Sequence, residues 1–186
     1  MLFRSSCARA AGVDVPPDAC AETPSKAVNG LSFCDVKVGD MAVAFEEGDI
    51  CRVNFTATSH GEVAEKASNF IFGLGGGESC PGFEMAITGA GDMPPLKIGG
   101  VRRVYVTDPA LGFGKTGANC DLVDNTCAVF PGAKDLVFDI ELTGVRGYTK
   151  FTVGGSSAPP LFSQVAQDWG RAGLGTIPGA PTARGN

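Results

Sequence analysis

Four stretches of the chain alternate apolar and polar residues with period two. In 49–57, Cys51, Val53, Phe55 and Ala57 alternate with Arg52, Asn54 and Thr56, which predicts a half-buried strand. In 69–74, Phe70, Phe72 and Leu74 share one face. Residues 101–107, VRRVYVT, are β-branched and interleaved with charge. In 136–142, Leu136, Phe138, Ile140 and Leu142 are expected to face inward, with Asp139 and Glu141 facing water. One stretch, CPGFEMAITG (80–89), predicts a helix instead. Pro81 sits where a first turn tolerates it, and Phe83, Ala86 and Ile87 form a short apolar stripe. Strands around one short helix predict an α+β antiparallel domain.

The periodic signal defines three parts. Residues 1–35 carry Pro16, Pro17 and Pro24 and are expected to be irregular. Residues 36–145 hold nearly all of the periodicity. Residues 146–186 are Gly- and Pro-rich, as in GGSSAPP (154–160), and form a C-terminal extension. No internal repeat is found. Apolar residues make up 44% of the 186, enough for a packed core. The 27 glycines and 12 prolines favour short strands and many turns over long helices.

A net charge of −5 argues against a nucleic-acid partner, because phosphate binding needs a basic surface. No run of about 18 apolar residues exists, so no transmembrane helix is expected. The first residues, MLFRSSCARAAG, are basic but lack the apolar stretch of a secretory signal. Seven cysteines include no C-x-x-C, and the single histidine, His60, has no cysteine nearby, so neither zinc nor another cofactor is expected. Paired disulfides are the better reading, and they imply a compartment outside the reducing cytosol. The odd count leaves at least one thiol over. GFGKTG (112–117) fails as a phosphate loop, since the first glycine would fall on Pro109. Asn54-Phe55-Thr56 matches a glycosylation sequon but lies within a predicted strand. One histidine on a turn gives covalent or general-base catalysis weak support.

The order of segments resembles the FKBP family of peptidyl-prolyl isomerases. The resemblance rests on EEGDICRVNFTA, HGEVAEKA, FIFGLGGGESCPGFEMAI, PPLKIGGVRRVYVTDPALGFG and VFPGAKDLVFDIEL, in that order over about 110 residues. GLSFCD (30–35), DMPPLKIGG (92–100) and the loop GANCDLVDNTC (117–127) resemble the thylakoid-lumen branch. The resemblance implies an antiparallel sheet wrapped across one short helix, with irregular N- and C-terminal extensions. It also implies two disulfides, Cys20–Cys34 and Cys120–Cys127, with Cys7 an alternative partner for Cys20. Cys51, on an inward face, is expected to be a buried thiol.

Carried over residue by residue, the resemblance implies a proline-binding pocket. Phe70 and Phe138 match aromatic walls, and Phe83 stands at the floor, where the family usually has Trp. Phe55 and Phe113 stand where Tyr is usual, so a ligand-binding hydroxyl is absent at Phe113. Cys80 replaces an aliphatic residue whose backbone N–H contacts ligand. Val129 and Phe130 match the apolar rim. Ala64 replaces a large aromatic, and Glu65 replaces the usual Asp. The implied activity is weak isomerisation of proline-containing segments in the thylakoid lumen. The alternative is a binding or structural subunit of a photosynthetic complex.

The C-terminal extension adds a feature the resemblance does not supply. Residues 146–186 hold Arg146, Lys150, Arg171 and Arg184 against Asp168, a net +3, which leaves −8 for the rest (−5 minus +3). Phe162, Val165 and Trp169 recur at i, i+3 and i+7, and about ten residues are too few to hold a helix alone in water. The stripe therefore needs a surface to bury it: its own domain, or a partner such as the lumenal face of a photosystem; the alternative is that the segment is a flexible linker.

Overall fold

The computed structural model describes residues 12–22, 24–114, 116–121 and 126–146. Among these described residues, eight strands and one α-helix are formed in the order β1 (Ser25–Val28), β2 (Leu31–Lys37), β3 (Ile50–Ser59), β4 (Glu62–Gly73), α1 (Pro81–Thr88), β5 (Val101–Val106), β6 (Ala118–Asp121), β7 (Thr126–Val129) and β8 (Leu136–Arg146). A 3-10 turn, Pro109–Leu111, follows β5. Six strands make one antiparallel sheet in the order β1-β2-β5-β8-β3-β4, and β6 and β7 pair as a separate hairpin.

The alternation read from the sequence sets the inner face. Cys51, Val53, Phe55 and Ala57 of β3, with Leu136, Phe138, Ile140 and Leu142 of β8, are buried against α1. The helix contributes Phe83, Ala86 and Ile87. It comes close to the sheet because Gly82 has no side chain. A Cβ there would lie 2.7 Å from the Leu111 carbonyl oxygen and 3.1 Å from a Val106 methyl. β3 and β4 join through His60 and Gly61, both at positive φ (54° and 76°), the geometry of a two-residue type I′ hairpin.

Three sequence expectations need correction. From Ser25 onward the segment expected to be irregular forms β1 and β2, and β2 pairs with β5 along its length. Segment 117–127, expected as a loop, contributes the β6–β7 hairpin. Asp139, expected to face water, is buried and bound to Arg103, with Nε–Oδ1 at 2.6 Å and Nη2–Oδ2 at 2.9 Å.

The reason for the last is a strap, residues 12–20, that crosses the outer face of the sheet. Arg103 donates through Nη2 to the Val15 carbonyl (3.1 Å) and through Nη1 to those of Pro16 (3.0 Å) and Pro17 (3.3 Å). Thr56 donates to the Val13 carbonyl, and Lys66 pairs with Asp14. The Cys20–Cys34 disulfide anchors the strap to β2, as the resemblance implied. Bonding to Asp139 raises the Arg103 pKa.

On the inner side Arg102 is fully buried. It binds Asp35 through two hydrogen bonds and the carbonyls of Ala86 and Pro94, and its guanidinium lies 5.0 Å from the Phe33 ring centre. One side chain thus ties β2, the end of α1 and the loop after it together. No buried side-chain nitrogen or oxygen among the described residues lacks a partner.

Candidate active site

The sheet register assembles the expected aromatic residues. Phe55 pairs with Ile140 on one side and Ala67 on the other; one row along, Ala57 lies between Phe138 and Glu65. Directly paired residues project to the same face, so Phe55, Phe138 and Glu65 belong to the helix side. The register shift between Val53 and Phe55, where Asn69 adopts φ 54°, sets Phe70 opposite Val53.

Phe83 lies at the centre. Its ring meets Phe138 edge-on at 5.1 Å, Phe55 at 5.3 Å and Phe72 at 5.6 Å. Phe55 meets Phe70 at 5.6 Å, and Phe70 stacks on Phe72 at 5.3 Å with 10° between planes. Each such pair adds about 0.5–1.5 kcal/mol beyond simple burial. Phe72 completes the cluster. The sequence marked it as inward-facing but gave no sign that it stacks on Phe70. Phe55, Phe83 and Phe138 are fully buried, and Phe70 and Phe113 are 4% and 7% exposed.

The remaining expected residues are less uniform. Phe113 follows the 3-10 turn, and its carbonyl accepts from the Thr116 hydroxyl. Val129 ends β7 and is buried, whereas Phe130 is 42% exposed. The Phe130 ring packs edge-on against His60 at 5.1 Å, and His60 is held by Asp135 through its backbone N–H and Nδ1. Ala64 is half-buried against the core and Glu65 half-buried on β4.

Cys80 caps α1 through its backbone alone, its carbonyl accepting from the N–H groups of Phe83 and Glu84. Burial pushes the Cys80 and Cys51 thiols up to about 12, so neither is a nucleophile. Cys127 is disulfide-bonded, and the β6–β7 register sets Cys120 opposite it. Cys7 lies outside the described residues.

The class this fold defines is an antiparallel sheet wrapped across one short helix, with an aromatic cluster between the two. Residues 42–143 match the family model described as FKBP-type peptidyl-prolyl cis-trans isomerase, and the chain belongs to that family. It is 33% identical over 121 residues to the chloroplastic peptidyl-prolyl cis-trans isomerase FKBP13 of Arabidopsis thaliana, covering 62% of this chain. It is 29% identical over 126 residues to the chloroplastic photosynthetic NDH subunit of lumenal location 4 of the same plant, covering 65% of this chain. The match spans 56% of the length of each relative. The crystal structure of AtFKBP13 superposes with a TM-score of 0.58 at 31% identity, covering 66% of this chain and 98% of that one. The three FKBP domains of wheat FKBP73 match with a TM-score of 0.53 at 26% identity, covering 64% and 46%.

Proposed function

We propose that this protein is a weak peptidyl-prolyl isomerase acting on proline-containing segments in the thylakoid lumen. The observation that carries this reading is the Phe55–Phe70–Phe72–Phe83–Phe138 cluster, apolar and without a nucleophile. An X-Pro bond rotates unaided over tens of seconds, across a barrier of about 18–20 kcal/mol set by amide resonance. An apolar site that binds the twisted amide better than the planar one lowers that barrier by differential binding. Phe83 is the floor, Phe55, Phe70 and Phe138 the walls, and Val129 and Phe130 the rim. Cys80 offers its backbone N–H. Phe113 cannot donate a hydrogen bond to a substrate carbonyl, which is why the rate should be low. Glu65 is the acidic group at the edge of β4.

The Cys20–Cys34 disulfide supports an oxidising compartment, and the chloroplastic relatives support the lumen. A protease-coupled assay with a Leu-Pro or Phe-Pro peptide tests the reading. Slow turnover is expected, rising severalfold in Phe113→Tyr and further with Ala64→Phe. A rate equal to the uncatalysed one in all three proteins would overturn it.

The second reading is a subunit of a photosynthetic complex at the lumenal face of the membrane, joined through residues 147–186. It is favoured by the NDH-subunit relative. Co-fractionation of the full chain with thylakoid complexes tests it. No helix among the described residues is long and apolar enough to cross a membrane.

A further inference from the structure

We propose that the outer face of the sheet, opposite the aromatic cluster, carries a docking groove beside the strap. Its occupant is an extended, uncharged, proline-containing segment of a partner protein, about five residues long. The inference does not depend on the isomerase reading, because the groove lies on the other side of the sheet.

Two rows of side chains cross that face. The register sets Arg103, Asp139, Thr56 and Lys66 side by side on β5, β8, β3 and β4. The neighbouring row is Tyr105, Val137, Thr58 and Val63. On β5, β8 and β3 the two rows are two residues apart and so share a face. On β4 the register shift between Ala57 and Thr58 brings Val63 into line.

The strap lies on the first row. Asp14 meets Lys66, the Val13 carbonyl meets Thr56, and the carbonyls of Val15, Pro16 and Pro17 meet Arg103. Five residues, two of them proline, thus cross four strands. The second row belongs to a groove of about 640 Å³, which Val13, Val15, Pro16 and Pro17 of the strap also line. That volume falls in the range of ligand clefts, about 300–1,000 Å³. Val63 is 42% exposed. The groove opens past Gly61, where even an added Cβ would meet nothing within 4 Å.

The chemistry of the groove selects its occupant. The charges along it are already paired, Lys66 with Asp14 and Arg103 with Asp139, and the second row carries none. A charged segment would therefore be desolvated without a partner. The Tyr105 ring and the two valines offer flat apolar surface to proline rings, with the Thr58 hydroxyl beside them, as in other grooves that take proline-rich segments. From β5 to β4 are three strand spacings, about 14 Å. About five residues in the polyproline conformation cover that distance, the number the strap uses on the row alongside. The strap is thus both one wall of the groove and a precedent for what binds there.

The full chain with ¹³C-labelled valine methyls reports on the two faces separately. Val63 and Val137 sit in the groove, and Val53 and Val129 are buried on the helix side. The probe is a synthetic peptide, Ac-Val-Pro-Pro-Val-Pro-NH2, with Ac-Val-Ser-Ser-Val-Ser-NH2 as its control. The proline peptide should move the Val63 and Val137 signals saturably, with a dissociation constant of about 1 mM or tighter. The serine peptide should move neither. Val63→Glu should weaken binding at Val137 at least about fivefold, the mark of an anchoring contact, and leave proline-peptide turnover unchanged. Thr58→Lys on the same row should act alike, and unmoved Val53 and Val129 signals in either variant show that the fold is kept. Shifts confined to Val53 and Val129 would place the peptide in the aromatic site and overturn the groove. So would a Val137 response that both variants leave intact, or equal responses to the two peptides. A Val137 signal that moves on dilution of the protein alone would mean that a second copy covers the row, which also overturns the proposal.

Discussion

The two inner thiols are governed by burial. Cys51 and Cys80 are raised from an ordinary 9.0 to about 12, chiefly by desolvation. In the folded protein at pH 8 neither should react with iodoacetamide over hours, and both should be labelled once urea unfolds the chain. Rapid labelling of the native protein would contradict the burial. The raised values also fix a sign. Both thiols are neutral in both states below pH 9, so their contribution is full there. It is lost between pH 9 and 12, as the unfolded chain ionises first. Denaturant midpoints should therefore fall over that range and recover part of the loss in Cys51→Ala. Phe83 is the most exacting aromatic position, because it touches three rings. Phe83→Ala should cost about 3–5 kcal/mol in urea unfolding. That is more than Phe130→Ala, whose ring is partly in solvent.

Among the elements, the inner strands and α1 were legible because period two and a proline-led apolar stripe are local signals. β1 and β2 were not, because the alternation of Leu31 and Phe33 with Ser32 and Cys34 is too short to stand out, and the strand that pairs with β2, β5, lies far along the sequence. The two arginines of β5 could have given more. Adjacent residues of a strand project to opposite faces, so one of Arg102 and Arg103 had to point inward and required buried acceptors. Those acceptors, Asp35 and Asp139, lie far along the sequence and could not be chosen in advance. Breaking the outer pair by Arg103→Met should cost about 3–5 kcal/mol, since Asp139 would be left buried without its partner. Adding Asp139→Leu should restore much of it. The β6–β7 hairpin carries a similar long-range expectation. A non-reducing peptide map should join Cys120 to Cys127, a small loop worth about 2–3 kcal/mol. Two free thiols there would refute the pairing.

At the scale of the whole molecule, the folded unit begins earlier than the periodicity suggested. The family match starts at residue 42, yet β1, β2 and the strap precede it. We propose 12–146 as the unit that folds. A fragment beginning at Val36 would lose Leu31 and Phe33 from the core and leave the β5 edge unpaired. It should fail to give a cooperative urea transition, whereas 12–146 should give one. The candidate site was legible as a set of aromatic positions only through the family resemblance. Periodicity alone shows that Phe55, Phe70, Phe83 and Phe138 point inward, which core residues also do. Bringing them within one cluster depends on the β3–β4 register shift and on the close seat of α1.

Arg103 grips the strap by its carbonyl oxygens, a group every amino acid supplies. The guanidinium therefore reads the spacing of the strap and is blind to its spelling. Val13, Asp14 and Val15 should be exchangeable together at little cost. One residue inserted between Pro17 and Cys20 would shift the carbonyls out of register with a fixed fork and a fixed disulfide. A segment under such selection drifts freely in letters while keeping its length, so kinship there would be recorded in a gap-free count of residues, not in their identity.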